Sequence, residues 1–295
     1  MTEPRPPQPI RLIALDVDGT LLDPAERITP RVRRAIREAH EAGCLLTLAT
    51  GRRLVGAQAI AAELELRLPL ILHGGAVIQD SVSGAVIYQD PMEPDTVAGL
   101  VETVLRHGFA PIVYESPANG GGLYTNADGA ANRPTREYDR LRGPLVPRPA
   151  EELHRVRQVL SVAVLGEPGE LAELADEIGR RGDTASIWTP WSVVECEAIE
   201  IFRAGCSKAT AVEHLAAAHG LTMGEVMAVG DGLNDCELLA AVGWGVAMGN
   251  ACPEACAAAC VQVGSNTQDG VAEAIERFVL DRGRRWRGGQ VEAIT

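Results

Sequence analysis

The stretch Ile10 to Asp23, IRLIALDVDGTLLD, decides how the rest of the chain is read. Five of the six residues from Ile10 to Leu15 are apolar, as expected of a strand buried on both faces of a parallel sheet. The run stops at Asp16, and the carboxyl end of such a strand is where open α/β sheets meet their ligands. Asp16 and Asp18 lie two residues apart, so an extended backbone would project them from one face about 6.6 Å apart. Gly19 then permits a sharp bend that brings them closer. Core packing accounts for Leu12 to Leu15 but not for two acids at a buried strand's end, which mark a candidate site.

The bulk numbers bound the rest. A chain of 295 residues commonly makes two domains and buries a sizeable core. Lys plus Arg number 27 against 40 Asp plus Glu, a net charge of −13, which argues against non-specific binding to nucleic acid or an anionic membrane. An anionic substrate therefore needs a local positive pocket. No apolar run approaches the roughly 20 residues of a membrane span, and MTEPRPPQP lacks the apolar heart of a secretory signal, so the expected location is the cytoplasm. Seven cysteines, an odd number without a disulfide framework, suit a reducing compartment. Cys252, Cys256 and Cys260 recur at helical spacing in ACPEACAAAC; they match no usual zinc pattern and are read as small core residues.

Outward from the first strand, strands and helices alternate. Thr29-Pro30 begins a helix that Gly43 ends, CLLTLA (residues 44–49) is a second buried strand, and Thr50-Gly51-Arg52 stands at its end before a helix from Val55 to Leu64. Leu70 to Leu72 is a third strand. Near residue 77 the rhythm changes to a hairpin, AVIQDSVSGAVIYQD, then a helix, a strand APIVYE and a glycine-rich loop from Ser116 to Gly129. VLSVAVLG and TASIWTPWSVVECEAIEIF are extended, with a helix between them. The parallel rhythm resumes with a helix opening at Lys208, a strand Val226 to Val229, the loop GDGLND (residues 230–235), a helix Asp235 to Ala241, a strand Trp244 to Met248, a helix Pro253 to Ala259, a strand Val261 to Val263 and a closing helix Val271 to Leu280. The fold class expected is α/β, a Rossmann-like parallel-sheet core of residues 10–82 and 202–284, with an inserted α/β domain of residues 83–201. Residues 1–9 form a disordered lead and 285–295 a disordered polar tail.

Four polar signals fall at strand ends or helix starts: Asp16 and Asp18, Thr50, Lys208, and Asp231 with Asp235. Each alone has a plain reading, since Thr50 fits a helix N-cap, Lys208 a solvated lysine and Asp231-Gly232 a turn. In this order and spacing they resemble the four motifs of the haloacid dehalogenase superfamily: DVDGT, a Thr or Ser after strand two, a lysine, and GDxxxD. The insertion lies between the second and third motifs, and the region WGVAMGNACPEACAAACVQVGSNTQDGVAEAI is similar to that of Cof-type phosphatases, which carry an α/β cap of the IIB kind. The resemblance implies phosphate monoester hydrolysis. Asp16 attacks phosphorus; Asp18 protonates the leaving oxygen and then activates water. A dehalogenase would leave Asp18 no leaving oxygen to serve. The resemblance also implies Mg²⁺ on Asp16, the main-chain carbonyl of Asp18 and Asp231, with Asp235 supporting. Asp16, Asp231, Asp235 and a phosphate dianion together demand such a hard cation. Lys208 supplies a further charge, and Thr50, the Gly51 amide and Asn234 are placed to bind phosphate, with Arg52 a substrate or cap contact.

The substrate expected is a small phosphorylated metabolite, sugar phosphates first and pyridoxal phosphate or flavin mononucleotide second, with no nucleic acid or membrane partner; the sequence carries no sign of oligomeric state. Two departures from the Cof-type pattern bear on substrate rather than reaction. Gly74 stands where Asn is usual, and Ala209 follows the lysine where Gly is frequent. His73 is read as structural. A phosphomutase of the same superfamily is one rival, although the chain has too few residues for a helical cap between the first two motifs. A non-catalytic phospholigand-binding regulator is another, although it predicts decay among four acids that are all present.

Overall fold

The computed structural model describes residues 4–126, 132–191, 195–280, 285–287 and 290–292. In chain order these form β1 (Leu12–Leu15), α1 (Pro30–Glu41), β2 (Leu45–Leu48), α2 (Leu54–Glu63), β3 (Leu70–Leu72) and β4 (Val77–Gln79). Then come β5 (Val86–Gln89), α3 (Pro94–Arg106), β6 (Pro111–Glu115), β7 (Leu123–Asn126), α4 (Arg133–Arg142), β8 (Val146–Arg148), α5 (Ala150–Leu153), β9 (Val159–Gly166), α6 (Ala172–Gly179), β10 (Thr184–Trp191) and β11 (Cys196–Arg203). The chain continues with α7 (Lys208–Ala218), β12 (Val226–Gly230), α8 (Cys236–Ala241), β13 (Trp244–Ala247), α9 (Pro253–Ala258), β14 (Val261–Gln262), α10 (Gly270–Ile275), β15 (Arg285–Arg287) and β16 (Gln290–Glu292).

The chain divides into two compact units, residues 1–84 with 207–295, and residues 85–206. In the first, five strands run in the order β14-β13-β12-β1-β2, all parallel. Leu12, Ile13 and Leu15 are essentially inaccessible, and each such side chain contributes about 1.5–3 kcal/mol relative to exposure. That burial suits β1 to an interior place in the sheet, between β12 and β2. The helices obey local rules: Thr29 accepts the Val32 N–H and caps α1, Pro30 occupies its first position, and Val32, Ala35, Ile36 and Ala39 face inward. Gly43, with φ +87°, turns the chain out of the helix. The register Leu15↔Leu48 and Leu15↔Val229 levels β2, β1 and β12, so all three release their loops at one edge.

The second unit is built on a mixed six-stranded sheet, β10-β11-β9-β6-β7-β8, in which only β7 and β8 pair in parallel. One face packs Leu100, Val104, Val113, Val162, Leu174 and Ile199 against α3, α5 and α6. The other packs Ile112, Leu123, Leu145 and Leu165, with Tyr138 of α4 against them. The mixed architecture with an inserted sheet matches the expected α/β class.

Three expectations are corrected, and one helix, α4, is an element the sequence reading did not include. The loop from Ser116 contains a strand, β7, because Leu123 and Thr125 alternate inward on the sheet; Ala127 to Gly129 of that loop lie outside the described residues. Arg133–Arg142 is helical although its sequence is mostly charged, since Asn132 accepts the Thr135 N–H as its cap. Beyond Leu280, Arg285–Arg287 pairs antiparallel with Gln290–Glu292, so the polar tail is not wholly irregular; the intervening sequence Gly-Gly is a hairpin signal. The cysteine stripe is not core. Helix α9 ends at Ala258, Cys252 and Cys256 are half-buried, Cys260 is exposed, and none of the seven cysteines is in a disulfide. In the lead, residues 4–9 are irregular and mostly exposed, and 1–3 lie outside the described residues.

Candidate active site

Asp16 follows the last residue of β1, and its N–H donates to the Val229 carbonyl at 3.0 Å, extending the sheet ladder by one residue. The next residues wind into a widened turn in which the Leu22 N–H reaches back to the Val17 carbonyl at 3.0 Å. Gly19 lies at the crown with φ +83°, and a Cβ there would sit 2.3 Å from Asp231 Oδ2. Glycine is thus required twice, by its backbone angle and by the close approach of the carboxylate.

Lys208 enters from the first position of α7. Ser207 caps that helix reciprocally with Thr210 and donates to Glu237 at 2.9 Å, which fixes the direction of the first turn. The Lys208 Nζ donates to Asp16 Oδ1 at 2.6 Å and to Asp235 Oδ1 at 2.7 Å, and all three side chains are buried. Asp235 Oδ2 accepts the backbone N–H groups of Asp231 and Gly232 at 3.0 and 2.9 Å, closing the GDGLND loop on itself. Among the described residues no hydrogen bond reaches the second oxygen of Asp16, Oδ2.

Two residues that sequence reasoning missed hold Asp231. The Thr20 hydroxyl donates to its Oδ1 at 2.6 Å. Asn250 Nδ2 donates to the Gly19 carbonyl at 2.8 Å and, at 3.4 Å, to Asp231 Oδ2, while Asn250 Oδ1 accepts the Asn266 N–H at 3.0 Å. Thr20 was visible as the last letter of DVDGT. Asn250 carried no local signal.

Asp18 stands apart from this cluster. Its carboxylate is exposed and takes a two-point contact from Arg52, Nη2 to Oδ1 at 2.5 Å and Nε to Oδ2 at 2.8 Å. Arg52 also donates to the Gly56 carbonyl at 3.1 Å. Thr50 is buried one residue past the level of Asp16 in the sheet register, and its hydroxyl accepts the Arg52 N–H at 3.1 Å. It does not cap α2, whose N-cap position is Arg53. Gly51 faces open space and Asn234 is half-buried; neither bonds to the acids.

The Gly74 departure has a physical reading. Gly74 has φ +61° and ψ +14°, a left-handed conformation that glycine and asparagine both accept. Its N–H donates to the Thr50 carbonyl, and that of His73 to the Arg52 carbonyl, so the His-Gly-Gly turn braces the second motif. A Cβ on Gly75 would lie 2.1 Å from the Ser207 carbonyl oxygen, beside the start of α7. Burial, with Arg53 nearby, pulls the His73 imidazole down to about 4, which keeps it neutral and structural.

The charges test whether a cation fits. One oxygen each from Asp16, Asp231 and Asp235 lie within 4.8 Å of one another, and Lys208 contributes one positive charge against three negative. Burial pushes Asp16 up to about 8; Lys208 opposes this, while Asp235 and Asp231 add to it. Burial likewise raises Asp231 to about 6 against the lowering effect of the Thr20 hydrogen bond. Burial alone would lower Lys208, but Asp16 and Asp235 hold it above the ordinary lysine range. The pocket is therefore short of positive charge and rich in oxygen donors, which fits a hard divalent cation.

Comparison with known proteins agrees with this geometry. A family model described as haloacid dehalogenase-like hydrolase matches residues 13–275. The pyridoxal phosphate phosphatase YbhA of Escherichia coli is 31% identical over 279 residues, covering 92% of this chain and 99% of the relative. Among solved structures, a haloacid dehalogenase-like hydrolase from Bacteroides thetaiotaomicron is 28% identical with a TM-score of 0.74, covering 91% of this chain and 99% of its own. A subclass IIB sugar phosphatase shares the fold at 22% identity, with a TM-score of 0.72 over 90% of this chain and 98% of its own. No helix among the described residues is long and apolar enough to cross a membrane. With its parallel core, inserted mixed sheet and strand-end acids, the chain belongs to the haloacid dehalogenase-like hydrolases and is a phosphatase.

Proposed function

We propose that the chain is a Mg²⁺-dependent phosphatase acting on a small phosphorylated metabolite in the cytoplasm, through an aspartyl-phosphate on Asp16. The observation that carries this reading is the Asp16 carboxylate, pinned through Oδ1 by buried Lys208 while Oδ2 accepts no hydrogen bond from the described residues. A fixed carboxylate with one oxygen free is oriented for attack.

In the first half-reaction Asp16 Oδ2 bonds to phosphorus as the ester P–O bond breaks. Protonated Asp18 delivers its proton to the departing oxygen, and the alcohol leaves. In the second, ionised Asp18 takes a proton from water, whose oxygen bonds to phosphorus and expels the Asp16 carboxylate. Inorganic phosphate leaves, and Asp18 is again protonated. Arg52 occupies both oxygens of Asp18, so substrate binding has to release that contact before Asp18 can serve the leaving oxygen. Thr50, the Gly51 amide and Asn234 bind the phosphoryl oxygens, and Lys208 holds Asp16 and offsets its charge. Asp16, the Asp18 carbonyl and Asp231, with Asp235 behind them, would hold Mg²⁺, which supplies charge neutralisation for the phosphoryl group. The inserted unit serves as the cap that excludes water and sets specificity.

Sugar phosphates are the first substrate class to test. Pyridoxal phosphate, the substrate named for the relative from Escherichia coli, and flavin mononucleotide come next. Hydrolysis of an aryl phosphate is expected to need added Mg²⁺ and to vanish in Asp16→Asn. Turnover in excess chelator, or an Asp16→Asn protein as active as the parent, overturns the mechanism. A panel of phosphorylated metabolites then ranks the substrates.

A further inference from the structure

The inserted unit has a concavity of about 390 Å³, within the range of small-ligand sites, and every residue lining it falls between Glu115 and Arg157. Three arginines, Arg148, Arg155 and Arg157, face two glutamates, Glu115 and Glu152. The acids are not equally available to them. Glu115 is occupied by its own surroundings: Asn119 Nδ2 donates to Oε1 at 2.5 Å, and the Tyr124 hydroxyl and the Gly122 N–H donate to Oε2 at 3.1 and 3.3 Å. Glu152 lies 3.6 Å from Arg148 Nη1, too far for a strong hydrogen bond.

Arg148 is fixed by other means. Its guanidinium carbon lies 4.3 Å from the centroid of the Tyr124 ring, a stacked cation on an aromatic face. Its Nε is buried and has no hydrogen-bond partner, a rare condition for a charged donor. Arg155 and Arg157 are exposed and pair with no acid among the described residues. A net positive hollow in a chain of charge −13 runs against the average field of the molecule, and such a hollow concentrates anions. Guanidinium forks match the paired oxygens of phosphate better than they match a chloride ion.

The geometry points to a second anion site: this hollow binds a phosphate-bearing small molecule through Arg155 and Arg157, beside the Arg148 guanidinium stacked on Tyr124, using residues of the inserted unit alone. The site stands independently of the reaction assigned to Asp16. Its ligand is either inorganic phosphate or a phosphate ester.

Calorimetric titration of the full, Mg²⁺-loaded chain with inorganic phosphate, at constant ionic strength set by chloride, tests it. Two phosphates per chain are expected for the parent and one for Arg155→Gln/Arg157→Gln, with equal thermal midpoints and aryl phosphate turnover within about twofold. The charge-preserving Arg155→Lys/Arg157→Lys variant is expected to keep both sites, with the weaker one loosened by about tenfold. In Asp16→Asn, which does not consume esters, competition of an aryl phosphate for the arginine-dependent site assigns it to esters, and lack of competition assigns it to free phosphate. Equal phosphate stoichiometry in the parent and in Arg155→Gln/Arg157→Gln, with or without a rise in KM, overturns the proposal, whereas one phosphate in the parent and none in the variant leaves the arginine site standing and counts against phosphate binding at Asp16.

Discussion

Two ion pairs at the same site are built in opposite ways. Lys208 with Asp16 and Asp235 is buried, its side chain 1% exposed, and the ammonium sits between two carboxylates at 2.6 and 2.7 Å. Arg52 with Asp18 is a better-matched fork, yet the Asp18 side chain is 62% exposed. Burial makes the first pair costly to break, because removing one partner strands charge in low dielectric. Water makes the second exchangeable at its acid, because solvent can take the place of the guanidinium around exposed Asp18 while Arg52 keeps its contact with the Gly56 carbonyl. The proposed roles follow: the nucleophile is fixed, and the group that shuttles a proton is releasable.

If burial rather than the count of charges sets the cost, three substitutions fall in a definite order. Lys208→Met is the largest. It leaves Asp16 and Asp235 facing each other unpaired, and urea unfolding is expected to show a loss of about 3–5 kcal/mol, with aryl phosphate turnover down about 10²- to 10³-fold. A loss below about 1 kcal/mol would erase the distinction between the two pairs.

His73→Asn is intermediate and is read as a pH dependence. The folded imidazole titrates near 4 and the unfolded one near 6.5, so between those values the unfolded chain binds the proton that the folded chain refuses. The stabilisation is complete above pH 6.5 and falls as pH drops toward 4. By pH 5 this one group costs about 2 kcal/mol. Asparagine tolerates the positive φ of this position and does not titrate, so the drop in unfolding free energy from pH 7.5 to 5 is expected to shrink by that amount. An unchanged drop would place the titration elsewhere.

Arg52→Gln is the smallest in stability, within about 1 kcal/mol, because the acid it would leave behind, Asp18, is exposed and solvated. Its signature is kinetic: kcat changes while the thermal midpoint holds. A destabilisation matching that of Lys208→Met would show that the exposed fork is as structural as the buried triad.

What was legible in the sequence follows the same division between local and distant causes. The strand before Asp16, the cap at Thr29-Pro30 and the closed loop from Gly230 to Asp235 rest on neighbours within a few residues, and periodicity and capping reveal them. Thr20 and Asn250 act on Asp231 across 211 and 19 residues, and Asn250 reaches Gly19 across 231, so no local pattern announces them. In the inserted unit, α4 shows a mostly charged sequence and β7 hides in a glycine-rich stretch. Both are shaped by the sheet they join, and tertiary context there overrides composition.

The distance along the chain between Asp16 and Lys208 has a consequence for biosynthesis. The contact spans 192 residues. At about 5–20 residues per second, a ribosome needs roughly 10 to 40 s after making the nucleophile before it makes the lysine. For most of that interval the nascent chain contains β1 and β2 without β12, and β1, destined for an interior place in the sheet, has an open edge. The inserted unit, contiguous from Ala85 to Cys206, is complete when the ribosome reaches Ser207. Synthesis order therefore favours an inserted unit that folds first and a catalytic centre assembled last.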